Sequence, residues 1–63
     1  MKQTFLDYTC TRETEKAILV EDGGGEETWI PKSQIDDDSE VYKMGTEGDL
    51  VISEFFAGKL GWL

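Results

Sequence analysis

The sequence predicts a mainly β (α+β) domain, a small curled antiparallel sheet or partly open barrel of four or five short strands with a short C-terminal helix. Three observations predict it. Short runs of β-branched and aromatic residues recur at close spacing, glycine-rich turns separate them, and the last apolar segment is bracketed by a helix-capping serine and a glycine. The 63 residues form one domain, 1–63. A chain of this size buries only about 60% of its unfolded surface, so the core must be thin.

The first strand is Thr4-Phe5-Leu6-Asp7-Tyr8-Thr9-Cys10. Strict alternation would put Leu6, Tyr8 and Cys10 on one face and Phe5 and Asp7 on the other. Thr11–Glu15 is polar, a loop or an extension of the ladder. Lys16-Ala17-Ile18-Leu19-Val20-Glu21 has a continuous apolar centre, as expected of a central strand covered on both faces. Asp22-Gly23-Gly24-Gly25 then reverses the chain into Glu26-Glu27-Thr28-Trp29-Ile30, because glycine reaches positive φ without steric penalty. The glycines do not form a phosphate loop: no Lys-Ser/Thr follows them, and the flanking acids repel phosphate.

Pro31 cannot donate to a ladder, so the strand ends there or lies on an edge. Pro31–Ile35 reads as a turn or one helical turn that returns Ile35 to the core. Asp36-Asp37-Asp38-Ser39 reads as a solvated loop, Glu40–Met44 as a short strand, and Gly45–Asp49 as a turn into Leu50-Val51-Ile52. Ser53 is placed to cap a helix over Phe55–Leu60, with Glu54 near its positive end and Gly61 stopping it. Phe56 and Leu60 share a face of that helix. Trp29 is expected in the core, and Trp62 and Leu63 are expected to seal the open end of the sheet.

Composition narrows the function. There is one cysteine, Cys10, and no histidine, so neither an internal disulfide nor a Cys/His zinc site can form. Cys10 reads as a small core residue, and a lone thiol suits a reducing cytoplasm. No stretch approaches the ~20 apolar residues of a membrane span, and the first residues show no apolar signal region. No nucleophile constellation is visible, so no enzyme is expected and no cofactor is implied. Asp36, Asp38, Glu40, Tyr42, Met44 and Glu47 mimic calcium-loop spacing, but Val41 stands where the sharp turn needs glycine, so no metal site is expected.

Charge is the strongest functional signal. The net charge is −8, and residues 21–49 carry all of it, with ten acids against Lys32 and Lys43. Such a field repels nucleic acid and attracts basic protein surfaces. The candidate partner-binding residues are Glu26, Glu27, Asp36, Asp37, Asp38 and Glu40, provided that the hairpin and the following loop share a side. The ordinary alternative is a solvated face that keeps a small protein soluble. Single-stranded nucleic acid could stack on Trp29, Tyr42 and the phenylalanines, but six scattered basic residues give the wrong sign for it.

Trp29-Ile30-Pro31-Lys32-Ser33-Gln34-Ile35, then Asp38-Ser39-Glu40-Val41, then Gly45-x-x-Gly48-Asp49-Leu50-Val51-Ile52 resemble a family of small phage and prophage proteins. Its members end in a short helix with an aromatic, an alanine and a Lys-x-Gly, matched here by Phe55-Phe56-Ala57 and Lys59-Leu60-Gly61. The resemblance covers roughly residues 16–63, and Trp-Ile-Pro-x-Ser is its most specific part. It implies a setting, the cytoplasm of an infected or lysogenic bacterium, and no binding residues. The expected function is therefore a phage-type module that binds, and inhibits or modulates, a host nucleic-acid-handling or defence protein through an acidic face. An accessory of phage DNA metabolism that binds single-stranded nucleic acid, and a structural or self-assembling homo-oligomer, are the alternatives.

Overall fold

The computed structural model describes all residues 1–63. Four strands and one helix follow in order: β1 (Lys2–Glu13), β2 (Ala17–Glu21), β3 (Glu27–Pro31), a 3-10 turn (Lys32–Gln34), β4 (Glu47–Ser53) and α1 (Glu54–Leu60). The strands form one antiparallel sheet in the order β3-β2-β1-β4. It does not close into a barrel, although a single bridge, Ile35 to Ile52, ties the chain after β3 to the edge of β4. No helix is long and apolar enough to cross a membrane.

β1 holds the sheet together by pairing with two partners in succession. Its residues from Lys2 to Thr9 pair with β4, and those from Thr9 to Glu13 pair with β2. Each ladder contains a register fault, between Phe5 and Tyr8 and between Cys10 and Arg12. One extra residue in a strand bends it, increases its twist and reverses the alternation beyond it. Asp7 accommodates the first fault at φ 62°, a left-handed conformation that aspartate tolerates better than most residues. The expected face assignment is corrected for this reason. Phe5 joins Tyr8 and Cys10 against the core, and Leu6 is left 66% exposed.

β2 is an interior strand. Ile18 and Val20 are fully buried in the core cluster with Cys10, Ile30, Val41, Leu50, Ile52 and Ala57. Leu19 points to the opposite face, flanked by Arg12 on β1 and Trp29 on β3. The β2–β3 turn is held by Asp22, whose Oδ1 accepts from the amides of Gly24 (2.7 Å) and Glu26 (3.0 Å). Gly25 takes φ 87° there. β3 is an edge strand ending at Pro31, as the missing N–H requires. Trp29 corrects the expectation of a core residue: it lies on the face away from the core, 47% exposed.

Residues 35–46 form a strap along the outer edge of β4. The Asp36 amide donates to Val51 O (2.9 Å) and the Glu40 amide to Asp49 O (2.9 Å). Between them, Ser39 Oγ accepts from Val51 N (3.0 Å) and Val41 N (3.2 Å) and donates to Val41 O (2.7 Å). Ser39 is buried, not solvated, because its hydroxyl occupies the place of a ladder rung. Glu40–Met44 is not a strand. Val41 drops into the core, and Thr46 Oγ1 binds the amides of Tyr42 and Lys43, turning the chain early. β4 consequently begins at Glu47, inside what the sequence suggests is a turn.

α1 has its expected ends. Ser53 Oγ accepts from Phe56 N (3.1 Å), and Gly61 closes the helix at φ 79°. Ala57 is buried, and Phe56 and Leu60 pack on the core. Trp62 folds back beyond the helix, with its ring centroid 5.0 Å from that of Phe5 and 5.4 Å from that of Tyr8. It seals one end of the sheet as expected, while Leu63 is exposed.

Two substitutions test the strap. A Cβ at Gly48 would collide with Glu40 Oε1, and φ there is 129°. Gly48→Ala is expected to lower stability by about 1–3 kcal/mol, and adding Glu40→Ala should recover the steric part only. Ser39→Ala leaves the amides of Val51 and Val41 without a partner and should cost about 1–3 kcal/mol. Urea unfolding measures both; a loss below about 0.5 kcal/mol, the usual range for surface changes, would contradict the clasp.

Candidate interaction surface

The six candidate acids enter the structure in two groups at opposite ends of β3. Glu26 and Glu27 lie at the hairpin end, and Asp36, Asp37, Asp38 and Glu40 lie on the strap beyond the 3-10 turn.

On the strap, three of the four acids are already engaged. Asp36 Oδ2 accepts from the Asp38 amide (2.9 Å) and stands 3.5 Å from Lys2 Nζ, which also pairs with Asp38. The Asp38 amide first, and the Lys2 ammonium with it, hold the Asp36 carboxyl below its ordinary range. Lys2 is pushed up in turn, chiefly by its hydrogen bond to Asp38. Glu40 bends inward, and its Oε1 accepts from Asp49 N at 2.9 Å. Asp37, exposed like Asp38 and Glu40, is the one of the four that makes neither an ion pair nor a side-chain hydrogen bond. The calcium-loop residues are dispersed by the same contacts, since Asp36 and Asp38 face an ammonium and Glu47 belongs to β4.

At the hairpin end, pairing register creates an acidic row that chain order conceals. Glu27 on β3 is opposite Glu21 on β2, Glu21 is opposite Thr9 on β1, and Thr9 is opposite Glu47 on β4. At about 4.8 Å per strand, the three glutamates span some 14 Å along one line on the outer face. Asp22 and Glu26 flank it in the turn. None of these acids takes part in an ion pair, because the three ion pairs of the protein use Lys2 or Lys32 with Asp36, Asp38 or Glu13. Trp29 is on the same face as Glu27, two residues along β3. Glu21, Glu47 and Trp29 are therefore part of the surface, although sequence reading did not select them for it. The three-glycine turn already implied Glu21 opposite Glu27, but Glu47 joins them only through the register of β1.

Both lysines of residues 21–49 are drawn elsewhere. They line an open groove of about 580 Å³ between the end of β1, the 3-10 turn and the strap. Lys32 Nζ is 2.6 Å from Glu13 Oε2, and Glu13 Oε1 accepts from Met44 N (3.2 Å). That lysine first, then that amide, hold the Glu13 carboxyl below its usual range. Lys43 lies over the Tyr42 ring, 5.6 Å from its centroid. The groove is mixed in sign, whereas no cation forms an ion pair with an acid of the hairpin end. Cys10 is buried with its thiol donating to Arg12 O (3.1 Å), and burial pushes its pKa up, toward the unreactive thiol.

The pH response of the strap follows from these shifts. A carboxyl whose folded pKa is depressed contributes stability above its unfolded pKa and loses it as pH falls through the folded value. Asp36 and Glu13 are both depressed, so the stability they add should disappear on acidification below roughly pH 4. The melting temperature of the Asp36→Asn/Glu13→Gln variant should fall less between pH 5 and pH 2 than that of the unsubstituted chain. Parallel melting curves would remove these two carboxylates from the account.

In comparisons with known proteins, no family model matches the chain, and neither does any curated protein or solved structure.

Proposed function

We propose that the protein is a protein-binding module that docks its acidic outer face on a basic surface of another protein. Following the resemblance to small phage and prophage proteins, the partner is a host nucleic-acid-handling or defence protein in the bacterial cytoplasm, which the module inhibits or modulates. One observation carries this reading: Glu21, Glu27 and Glu47 share a face on which no cation pairs with them. Uncompensated charge on a stiff sheet steers oppositely charged partners and repels phosphate. Asp37 extends the same sign to the strap, whereas Asp36, Asp38 and Glu40 primarily hold the strap in place.

Single-stranded nucleic acid is the second reading, favoured by two exposed aromatic rings with a lysine above each, Tyr42 with Lys43 and Phe55 with Lys59. It requires salt-sensitive binding of an oligonucleotide, and a titration at low salt that shows none would dispose of it.

The acidic-face reading is tested by capture from bacterial lysate at low and moderate salt. One basic protein should be retained at low salt and weakened as salt rises. Reversing Glu21, Glu27 and Glu47 to lysine should slow its association about tenfold or more. Reversal at Asp37 should have a smaller effect. Capture that survives the triple reversal, or no captured protein at either salt, would leave the charge with no role beyond solubility.

A further inference from the structure

We propose that the open edge of β3 binds an extended cationic segment of the partner protein, which adds a strand to the sheet. The proposal rests on the acidic-face reading and gives that partner a conformation and a residue pattern. The argument begins with the phase of the β2–β3 ladder. Asp22 N donates to Glu26 O (3.0 Å) and Lys32 N to Lys16 O (2.8 Å), so the residues of β3 that face β2 are Thr28 and Ile30. Glu27 and Trp29 therefore direct their N–H and C=O groups away from the sheet, on the side where β3 has no neighbouring strand. The other outer edge, that of β4, is covered by the strap, which leaves β3 as the open outermost strand of the sheet. Unpaired edge backbone selects a partner chain in the extended conformation.

Charge and the aromatic ring select its composition. A segment paired antiparallel with β3 would place two residues opposite Glu27 and Trp29, with their side chains on the outer face. The first would meet the Glu27 carboxylate, with Glu21 directly behind it. The second would lie beside the Trp29 ring, 47% exposed and able to take an ammonium or guanidinium on its face. Pro31 offers no N–H and limits the pairing frame to this short stretch. The segment is thus basic at alternate positions. A second copy fits poorly, because each chain carries −8 and would bring Glu26 and Glu27 to the shared edge.

The test separates strand addition from charge attraction alone. A capped Arg-Val-Arg-Val-Arg peptide is titrated into the isotopically labelled protein, beside the same peptide N-methylated at its arginine amides. Methylation keeps the charge and removes the N–H groups that would face β3. The unmethylated peptide should slow hydrogen exchange of the Glu27 and Trp29 amides at least tenfold, and methylation should weaken binding at least tenfold. Glu27→Lys and Trp29→Ala, both exposed positions that should leave the fold intact, should each weaken binding as well. Equal binding of both peptides with unprotected amides would overturn strand addition and leave the acidic-face reading standing. Binding of neither peptide at millimolar concentration would overturn it too. Protection of those amides that rises with protein concentration alone would make a second copy the occupant and overturn it equally.

Discussion

The Ser39 hydroxyl is the constraint on which much of this fold depends. A 63-residue chain with no possible disulfide has little core to offset its chain entropy. It also has two sheet edges to manage. One hydroxyl satisfies the amides of Val41 and Val51 at once, with ladder-like bonds from Asp36 and Glu40 on either side. The strap it fixes buries Val41 and delivers Ile35 to its bridge with Ile52. Without it, β4 would be a second open edge, and the core would lose one wall. The glutamate carboxylate over Gly48 serves the same clasp, which explains why a glycine stands in the ladder at that point.

The two faults in β1 carry a comparable share. A regular 12-residue strand pairing with one neighbour along its length would favour a flatter sheet with its inward side chains in strict alternation. The extra residues let β1 bend, present Phe5, Tyr8 and Cys10 to one core, and pass from β4 to β2. Helix α1 and Trp62 then fill the concave side. The left-handed Asp7 belongs to this bend, and the exposed Leu6 is its consequence.

Where structure follows from local chemistry, it was legible in the sequence. The three glycines after Asp22 specify the hairpin, Pro31 confines its strand to an end or an edge, and Ser53 and Gly61 mark the ends of α1, because each acts through its own backbone or its immediate neighbours. The misreadings share another origin. Leu6 and Phe5 exchange faces because a bulge has no reliable residue signature. Ser39 looks like part of an acidic loop until β4 supplies an edge for its hydroxyl. Trp29 looks like core until the pairing register turns Ile30 to the core and Trp29 to the opposite face. For the site, the sign of the charge was legible but its distribution was not. Lys2 crosses from the N-terminus to neutralise Asp36 and Asp38, and β1 brings Glu47 into line with Glu21 and Glu27.

The glutamate row has two physical meanings that need not compete. Like charges directly opposite in a sheet are unfavourable, so Glu21 against Glu27 weakens the hairpin it occupies. Charged residues along an open strand edge are also how sheet proteins discourage pairing with copies of themselves. An acidic edge repels every identical chain, since each brings the same glutamates to the joint. It does not repel a basic strand. The sign that keeps the β3 edge free of self-pairing is the sign that leaves it open to a cationic one, and the same carboxylates can therefore act as protection in isolation and as selectivity in a complex.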